Sequence, residues 1–405
     1  MENKIILFHK KEDCCGCTAC ANICPQSAIK MRPDGLGFLY PVIDEAKCIK
    51  CGLCIKVCSF NKNYDKSLNL QVPDVYAIQH KSKKEIEKSQ SGAAFIVFSD
   101  YILNNDGIVY GVGYTEHFKV VHKRAKNKAE RDEFRGSKYV QSDLNFILKK
   151  VKKDLKENKY VLFTGTPCQT AALRSYLLQS KVNTEKLFVI DLVCHGVPSP
   201  QLWNDYLVYL ERKNKAKITK VNFRDKKFGW ASHRESFQFN DTYTYTYTYL
   251  FYQHIMLRKS CGNCYFANLQ RPSDITIGDY WGIEKIRPEL RKENKGVSLV
   301  LINTEKGKKL FNEVKMNINY INTDINDCLQ PNLKKPTTLH PKCEFFEKDY
   351  INYGFEYVKK RYSDNLFKYI FKLYLNIFKV KLVQFKNRNK YLYYLWKYLK
   401  TIKKE

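Results

Sequence analysis

Long apolar runs are missing from this sequence. None of its 405 residues lies in a stretch approaching the roughly 20 apolar residues that a membrane-spanning helix needs. The N-terminus has one apolar run, residues 5–8, without a small-residue cleavage site, so a secretory signal peptide is not expected. A G-x-G-x-x-G turn is also absent, so a Rossmann dinucleotide site is not indicated. We find no helix-turn-helix, zinc-finger or RNP-type motif, which argues against a nucleic-acid partner.

Acidic residues are scarce relative to basic ones. The chain has 70 Lys and Arg against 41 Asp and Glu, a formal net charge of +29. A basic surface can serve nucleic acid, anionic lipid or acidic proteins, so the charge alone selects no partner. The chain is rich in Lys, Asn, Ile and Tyr, and much of the charge can be a solvated surface. Its length allows two or three domains with a sizeable core.

Cysteine is abundant, and nine of the fifteen cysteines precede residue 60. They form two C-x-x-C-x-x-C-x-x-x-C runs, which begin at Cys14 and Cys48. Bacterial ferredoxins hold two [4Fe–4S] clusters with such runs, and the fourth cysteine of each run ligates the other cluster. Disulfides need an oxidising compartment and zinc favours paired C-x-x-C knuckles, so iron–sulfur ligands in a reducing cytoplasm are the prediction.

We therefore predict two ligand sets. The first cube takes Cys14, Cys17, Cys20 and Cys58, and the second takes Cys48, Cys51, Cys54 and Cys24. The second run ends with Ser59 where a proline is usual, which weakens a turn but removes no ligand. Cys15 is predicted to be a neighbour of the cluster and not a ligand.

The order of elements predicts an α/β (α+β) fold with three parts. A small bacterial-ferredoxin-like domain, residues 1–62, precedes a polar linker. A mixed-sheet α/β domain follows at 73–345, with an N-terminal part 73–150 and a C-terminal part 151–345, because strand and helix patterns alternate there. Residues 346–405 are predicted to be a basic, aromatic helical tail. The alternating Thr and Tyr of 242–249 predict a half-exposed strand.

Four further cysteines fall in the α/β domain: Cys168, Cys194, Cys261 and Cys264. The first two follow predicted strands, and ligands collect at the carboxyl ends of strands in such sheets. These thiols could hold a third [4Fe–4S] cluster, a zinc ion, or nothing. His195 beside Cys194 is predicted to be structural, and Cys328 and Cys343 to be ordinary thiols.

Eight motifs in the same order together resemble one family, the proteins related to the coenzyme F420 hydrogenase/dehydrogenase β subunit with an N-terminal two-cluster ferredoxin domain. They are SQSGAA (89–94), RGSKYVQS (135–142), FTGTPCQ (163–169), VCHGVPS (193–199), FRDKKFGW (223–230), CGNC (261–264), SDITIGDYWG (273–282) and GVSLVLIN (296–303). The resemblance covers roughly residues 1–310.

The resemblance implies an FAD and a third [4Fe–4S] cluster on the four later cysteines. Small-residue turns let backbone N–H groups approach phosphates, so the candidate FAD contacts are Ser91, Gly92, Gly136, Ser137, Lys138, Tyr139 and Gln141. One position departs from the family pattern Ser-Gly-Gly, because Ala93 stands third; its methyl is tolerable unless the position needs a positive φ.

The expected function is an iron–sulfur flavoprotein oxidoreductase that passes electrons between ferredoxin or another redox protein and FAD, which exchanges a hydride with an unidentified substrate, F420-like or other. Polar groups that could shape the substrate site are Asp225, Lys226, His233, Arg234 and Asp279; no catalytic residue is assigned. The alternatives are an electron-transfer subunit without its own substrate and an interaction protein with structural clusters.

The C-terminal residues 351–405 hold 14 Lys and Arg against 3 Asp and Glu, interleaved with aromatic residues. Segments 367–378 and 391–400 both fit helices. Basic amphipathic helices with aromatic anchors can bind anionic membranes, and such helices can equally dock on the domain. We therefore expect a cytoplasmic protein with peripheral membrane contact as one alternative. The sequence identifies neither the pathway nor the oligomeric state.

Overall fold

An eight-stranded mixed sheet forms the centre of the computed structural model, which describes residues 5–239, 242–244, 246–292 and 294–363. The strands are β1 Ile29–Pro33, β2 Leu39–Ile43, β3 Asn69–His80, β4 Ile108–Tyr114, β5 Val120–Ala125, β6 Val161–Gly165, β7 Leu187–Leu192, β8 Lys220–Asn222, β9 Glu235–Gln238, β10 Thr242–Thr244, β11 Ile275–Asp279, β12 Ser298–Thr304 and β13 Ile318–Asn322. The helices are α1 Ala19–Ile23, α2 Leu53–Lys56, α3 Lys83–Glu87, α4 Ala94–Asn104, α5 Lys128–Asp132, α6 Ile147–Lys156, α7 Pro167–Gln179, α8 Pro200–Asn214, α9 Thr246–Tyr252, α10 Pro288–Lys292, α11 Glu305–Val314, α12 Ile325–Cys328 and α13 Cys343–Tyr362.

The large sheet has the strand order β13-β3-β12-β11-β7-β6-β4-β5. Its four middle strands β11, β7, β6 and β4 run parallel, and antiparallel strands continue it on both sides. Alternate residues of β6 face opposite layers: Leu162 packs with α4 and α11, whereas Phe163 packs with α6 and α7. Helices therefore cover both faces, as a central parallel sheet requires. The predicted α/β class is confirmed.

The N-terminal cysteine-rich unit packs directly against the large domain. Its strands β1 and β2 form an antiparallel hairpin, as expected for the segment between the two cysteine runs. Asn22 Nδ2 donates to Asn145 O at 2.8 Å, and Ser175 Oγ on α7 donates to Val57 O at 2.8 Å. The linker predicted at 61–73 is shorter in the structure, because β3 already begins at Asn69.

The start of the predicted tail belongs to the packed body. Helix α13 buries Phe346, Tyr350, Phe355 and Val358 in the cluster formed by α8 and α9. The boundary expected at 345/346 therefore falls inside a helix. Gly354 interrupts this helix with a φ of +75°. The predicted helices 367–378 and 391–400 lie outside the described residues, and no helix within the described residues is long and apolar enough to cross a membrane.

The predicted strand 242–249 is wrong over most of its length. Of the described residues in this segment, Thr242–Thr244 alone are extended, and α9 begins at Thr246. Tyr247 and Leu250 have no exposed surface, and Tyr247 OH donates to Tyr139 O at 2.9 Å. Strict alternation is typical of a strand with one solvent-exposed face, but residues 246–251 are buried. Tertiary packing therefore overrides the strand propensity of Thr and Tyr.

Candidate functional site

The structure brings together the four cysteines predicted for the first cube. Burial raises the pKa of the Cys20 thiol, and its three predicted partners Cys17, Cys14 and Cys58 raise it further. Such mutual influence requires the thiols to be close neighbours. Cys58, from the end of the second run, thus lies with the first run, as the crossed ligation pattern demands.

The second predicted set also converges. Cys24, Cys48, Cys51 and Cys54 line a common small cavity, together with Ile49 and Ile43. The backbone N–H of Ala28 donates to Cys24 Sγ at 3.3 Å. Cys51 is exposed, so this set faces solvent.

The loops of the two runs have the same backbone conformation. Gly16 and Lys50 occupy the position before the second cysteine of each run and have φ values of +68° and +54°. Thr18 and Gly52 occupy the position after it, at +62° and +74°. Each run therefore curls its first thiols toward one point through two residues in the left-handed region, at the cost of strain in Thr18 and Lys50.

The later four cysteines meet at the carboxyl edge of the parallel strands. Cys168 lies in the first turn of α7, which Thr166 begins: Thr166 N donates to Gln169 Oε1 at 3.0 Å in a capping box. Cys194 follows β7, and Cys261 and Cys264 lie on and just after the short helix 259–263.

The inner four thiols are mutual neighbours. Burial raises the pKa of the Cys194 thiol, and Cys261, Cys168 and Cys264 raise it further. The backbone N–H of Val197 donates to Cys261 Sγ at 3.4 Å. We call Cys168, Cys194, Cys261 and Cys264 the inner set.

Cys15 lies between the first set and the inner set. It is 5% exposed and packs with Phe60 and Phe266, in contact with Cys17 and Cys168. Hydrogen bonds to the Cys168 and Cys17 thiols are the largest influences that raise its pKa. It is a neighbour of both sets.

The cysteines of the described chain are not joined in disulfides. All fifteen cysteines fall in the described part of the chain and are free thiols, so none is in a disulfide. A zinc ion needs its ligands within about 2.3 Å of one point. Among the described residues, no group of three or more His, Cys, Asp or Glu side chains could hold a single metal ion.

A cavity of about 360 Å³ opens beside the inner set, at the carboxyl ends of β6, β7 and β11. Cys194 forms part of its wall, as do Thr166 and His195. His195 Nε2 lies 2.6 Å from His254 Nε2. The volume is in the range of small-molecule sites, about 300–1,000 Å³.

Five of the seven predicted cofactor contacts line this cavity: Ser91, Gly136, Ser137, Lys138 and Tyr139. Gly92 lies beneath the wall, where a Cβ would be 2.1 Å from Ile78 O and 2.7 Å from Ser298 N. Gln141 does not line the cavity; its Nε2 donates to Cys15 O at 2.8 Å. The sequence motifs therefore contain residues that line the cavity and also residues that lie outside its wall.

Several features of the wall suit a phosphate-bearing ligand. Helix α4 begins at the cavity, and no side chain caps its N-terminus at Ala93. Gly136 has a φ of +79° with open space around it. Burial lowers the pKa of Lys138 to about 7, a shift that a bound anion would oppose. The buried Gln90 Nε2, also in the wall, has no partner.

The residues expected to shape a substrate site divide into two groups. His233 and Asp279 line the cavity, and His233 Nδ1 lies 2.5 Å from Tyr252 OH. Lys226 instead supports the wall: its Nζ donates to the carbonyls of Ile86 at 2.6 Å, Ser89 at 2.8 Å and Ser91 at 3.3 Å. Asp225 caps the short helix 226–228, and Arg234 lies over the Phe228 ring.

Sequence analysis missed Arg224, which is 2% exposed and lines the cavity. Its Nη1 donates to Asp279 Oδ2 at 2.5 Å, and Asp279 Oδ1 accepts from Trp230 Nε1 at 2.6 Å. Arg224 Nε has no partner. Its place in the FRDKKFGW motif was the available signal, but nothing in that motif separates Arg224 from its neighbours.

Two stretches of the chain match known families. Residues 13–62 match the 4Fe–4S dicluster domain, and residues 158–327 match the C terminus of the coenzyme F420 hydrogenase/dehydrogenase β subunit. Similar solved structures include a chain of the F420-reducing [NiFe] hydrogenase complex from Methanosarcina barkeri, at 15% identity and a TM-score of 0.45, covering 73% of this chain and 92% of that chain. No curated protein sequence matches. The comparisons thus relate residues 13–62 to a 4Fe–4S dicluster domain and residues 158–327 to the C terminus of that β subunit.

Proposed function

We propose that this chain, which joins a 4Fe–4S dicluster domain to a domain of the coenzyme F420 hydrogenase/dehydrogenase β-subunit family, is an iron–sulfur flavoprotein oxidoreductase. In this proposal, single electrons pass between a redox-protein partner and an FAD in the 360 Å³ cavity by way of the three cysteine sets. The substrate is a hydride donor or acceptor, F420-like or other.

The observation that supports this proposal best is the double role of Cys194. The same residue belongs to the inner set and to the cavity wall. Cys15 links the inner set to the first N-terminal set. The first set, the inner set and the cavity therefore form one continuous series, as a protein that moves electrons to a bound cofactor requires.

The wall residues would hold and orient the cofactor. The N-terminus of α4, the turn at Gly136 and Lys138 would bind its phosphates, and Lys226 keeps the loop before α4 in place through three backbone carbonyls. A flavin exchanges a hydride with its substrate and single electrons with a cluster. Arg224, held by its ion pair with Asp279, is a fixed polar group in the same wall.

The test is the iron, sulfide and flavin content of anaerobically purified full-length protein. We expect about twelve irons and one FAD, since each of three sets would hold a four-iron cube. Cys194→Ser should lose about four irons. Cys343→Ser, at a thiol outside all three sets, should lose none. About eight irons and no flavin would overturn the third cluster and the flavoenzyme, leaving a two-cluster carrier.

A second function, electron transfer without a substrate of its own, makes a different prediction. Its inner set and flavin would be loaded, but no small hydride donor would bleach the flavin absorbance. Bleaching by reduced F420 or by a nicotinamide donor, measured under anaerobic conditions, would separate the two.

A further inference from the structure

Four arginines of the described chain are buried to 2% exposure or less, and one of them differs from the others. Arg131 pairs with Asp100, Arg224 with Asp279, and Arg271 with Asp191. Within the described residues, no carboxylate pairs with Arg258, which has no exposed surface at all. Since an isolated buried charge costs several kcal/mol, this guanidinium needs a negative group that the amino acids around it do not supply as carboxylate.

The polar contacts of Arg258 lead to the first cysteine run. Nε donates to Cys14 O at 2.8 Å, Nη2 to Leu39 O at 2.9 Å, and Nη1 to Gln141 Oε1 at 2.9 Å. Nη2 also lies 3.8 Å from Cys14 Sγ. The guanidinium carbon is 4.3 Å from the centre of the Tyr40 ring. All three oxygen acceptors are neutral, so the thiol of Cys14 is the acceptor that becomes an anion when it ligates metal.

The first loop is shaped around this guanidinium. At Gly16, a Cβ would lie 2.7 Å from Arg258 Nη1, so only glycine leaves room for the side chain. The equivalent residue of the second run is Lys50, which is exposed. The two otherwise similar loops therefore differ in having a buried cation on one and not on the other.

Arg258 also belongs to the inner set's own loop. It stands three residues before Cys261, and Cys261 N donates to Arg258 O at 2.9 Å. The backbone N–H of Arg258 donates to Val197 O at 3.0 Å, on the loop that follows Cys194. One residue thus fixes the inner-set loop to the first N-terminal loop.

We propose that Arg258 is a positioning residue and the counter-charge of the iron–sulfur cube held by Cys14, Cys17, Cys20 and Cys58, and that it raises the reduction potential of this cube above that of its twin. The inference rests on the proposed cluster assignment. A four-iron cube with four thiolates is an anion that becomes more negative on reduction, and nearby charge and hydrogen bonds set its potential. A buried cation therefore favours the reduced form.

The experiment is a redox titration of anaerobically purified full-length protein, followed by electron paramagnetic resonance. In Arg258→Gln, we expect the ratio of reduced to oxidised first cube at a fixed potential to fall about tenfold, which is about 59 mV for a one-electron couple. The twin should not change. Arg258→Lys keeps the charge and should restore part of the shift. Cys51→Ser, in the second set, identifies the signal of the twin.

Two further variants keep the test decisive. Arg131→Gln removes another buried arginine far from the cysteine sets, and should leave both potentials unchanged. Gln141→Glu keeps Arg258 but places a carboxylate at the atom that accepts from Nη1, and should lower the potential of the first cube in the same direction. Gln141→Glu therefore tests the effect of charge on the first cube even if Arg258→Gln does not fold.

The outcomes separate this inference from the proposed function. Unchanged potentials in Arg258→Gln, or in Gln141→Glu when the first variant is insoluble, would overturn the inference while leaving the clusters in place. Wild-type protein with fewer than about eight irons would instead overturn the cluster assignment on which the inference rests.

Discussion

The two cysteine runs have the same spacing and the same loop conformation, but they lie in different surroundings. Around the second run, Cys51 is exposed, and Ile49 and Ile55 are 60% and 52% exposed. Around the first run, Cys15 is buried against the inner set and Arg258 fills the space beside Gly16. The loop of the second run is exposed to solvent, whereas the loop of the first run packs against the rest of the protein.

In the proposed function, this difference gives the path of the electrons a direction, from the exposed second set to the cavity. A redox protein can approach the second set from solvent, whereas the first set lies next to the inner set and, through Cys194, next to the cavity. In the proposed function, the two runs therefore have different roles, which only the residues around them distinguish. Three of the four predictions below test that distinction, and the fourth tests the backbone strain at the cavity wall.

The largest effect is expected from Gly16→Ala. The added Cβ would lie 2.7 Å from Arg258 Nη1 and 3.0 Å from Leu39 O, at a φ of +68°. Since Arg258 is held by its hydrogen bonds, we expect the loop to shift and about four irons to be lost. Lys50→Ala, at the equivalent position of the second run, should keep all its iron. A Gly16→Ala protein with the full iron content would contradict the expected difference between the two runs.

Iron removal should distinguish the runs without mutation. A hydrophilic chelator should release iron in phases, with about four irons in the fastest, because a solvent-exposed cube is the more accessible. The absorbance of the ferrous–chelator complex follows the release. Cys51→Ser should abolish the fast phase and leave the slower ones. Simultaneous release from both N-terminal sets would show that exposure at Cys51 does not matter.

Gln141→Ala should weaken the packing of the first run against the large domain and leave the second run unchanged. The variant leaves Cys15 O and Arg258 Nη1 without the partners that Gln141 supplies. We expect the free energy of unfolding to fall by about 2 kcal/mol, the typical cost of unsatisfied buried polar groups. Gln26→Ala, at an exposed residue in the wall of the second set, should change it by less than about 0.5 kcal/mol. Urea denaturation of both variants measures the difference, and equal values would contradict it.

The smallest effect is expected at Ala93, where a positive φ angle strains the backbone without a steric clash. Ala93 has a φ of +70°, and a methyl group at a positive φ is energetically costly. Ala93→Gly should stabilise the protein by about 0.5–1 kcal/mol, because glycine adopts this conformation without strain. Ala94→Gly, one residue later and inside α4, should destabilise it by about 1 kcal/mol. Thermal melts of the pair should therefore shift in opposite directions; a shift of both in the same direction would contradict the argument.

Much of the fold could be predicted because it depends on local patterns. The buried strand before Thr166 and the helix after it follow from a run of apolar residues, a capping threonine and Pro167. The segment 242–249 could not be predicted in this way. Its alternation is local, whereas the burial of Tyr247 against α8 and the neighbouring aromatic residues comes from the rest of the chain.

The candidate site divides in the same manner. Ser91, Gly136 and Lys138 could be recognised from small-residue motifs, and they line the cavity. Gln141 belongs to one of these motifs, yet its side chain faces Cys15. A motif identifies the shape of a turn but does not specify which way each side chain points.

The cysteine spacing by itself determined which thiols could gather around each N-terminal cube, because the ligands of one cube lie on one short loop with a fourth from its twin. Only the tertiary structure decided which loop faces inward, which residues line the cavity, and that Arg258 lies at Cys14. These facts depend on contacts between residues far apart in the chain, 244 positions in the case of Arg258 and Cys14. Local spacing contains no information about such contacts, since packing of the whole chain brings them together.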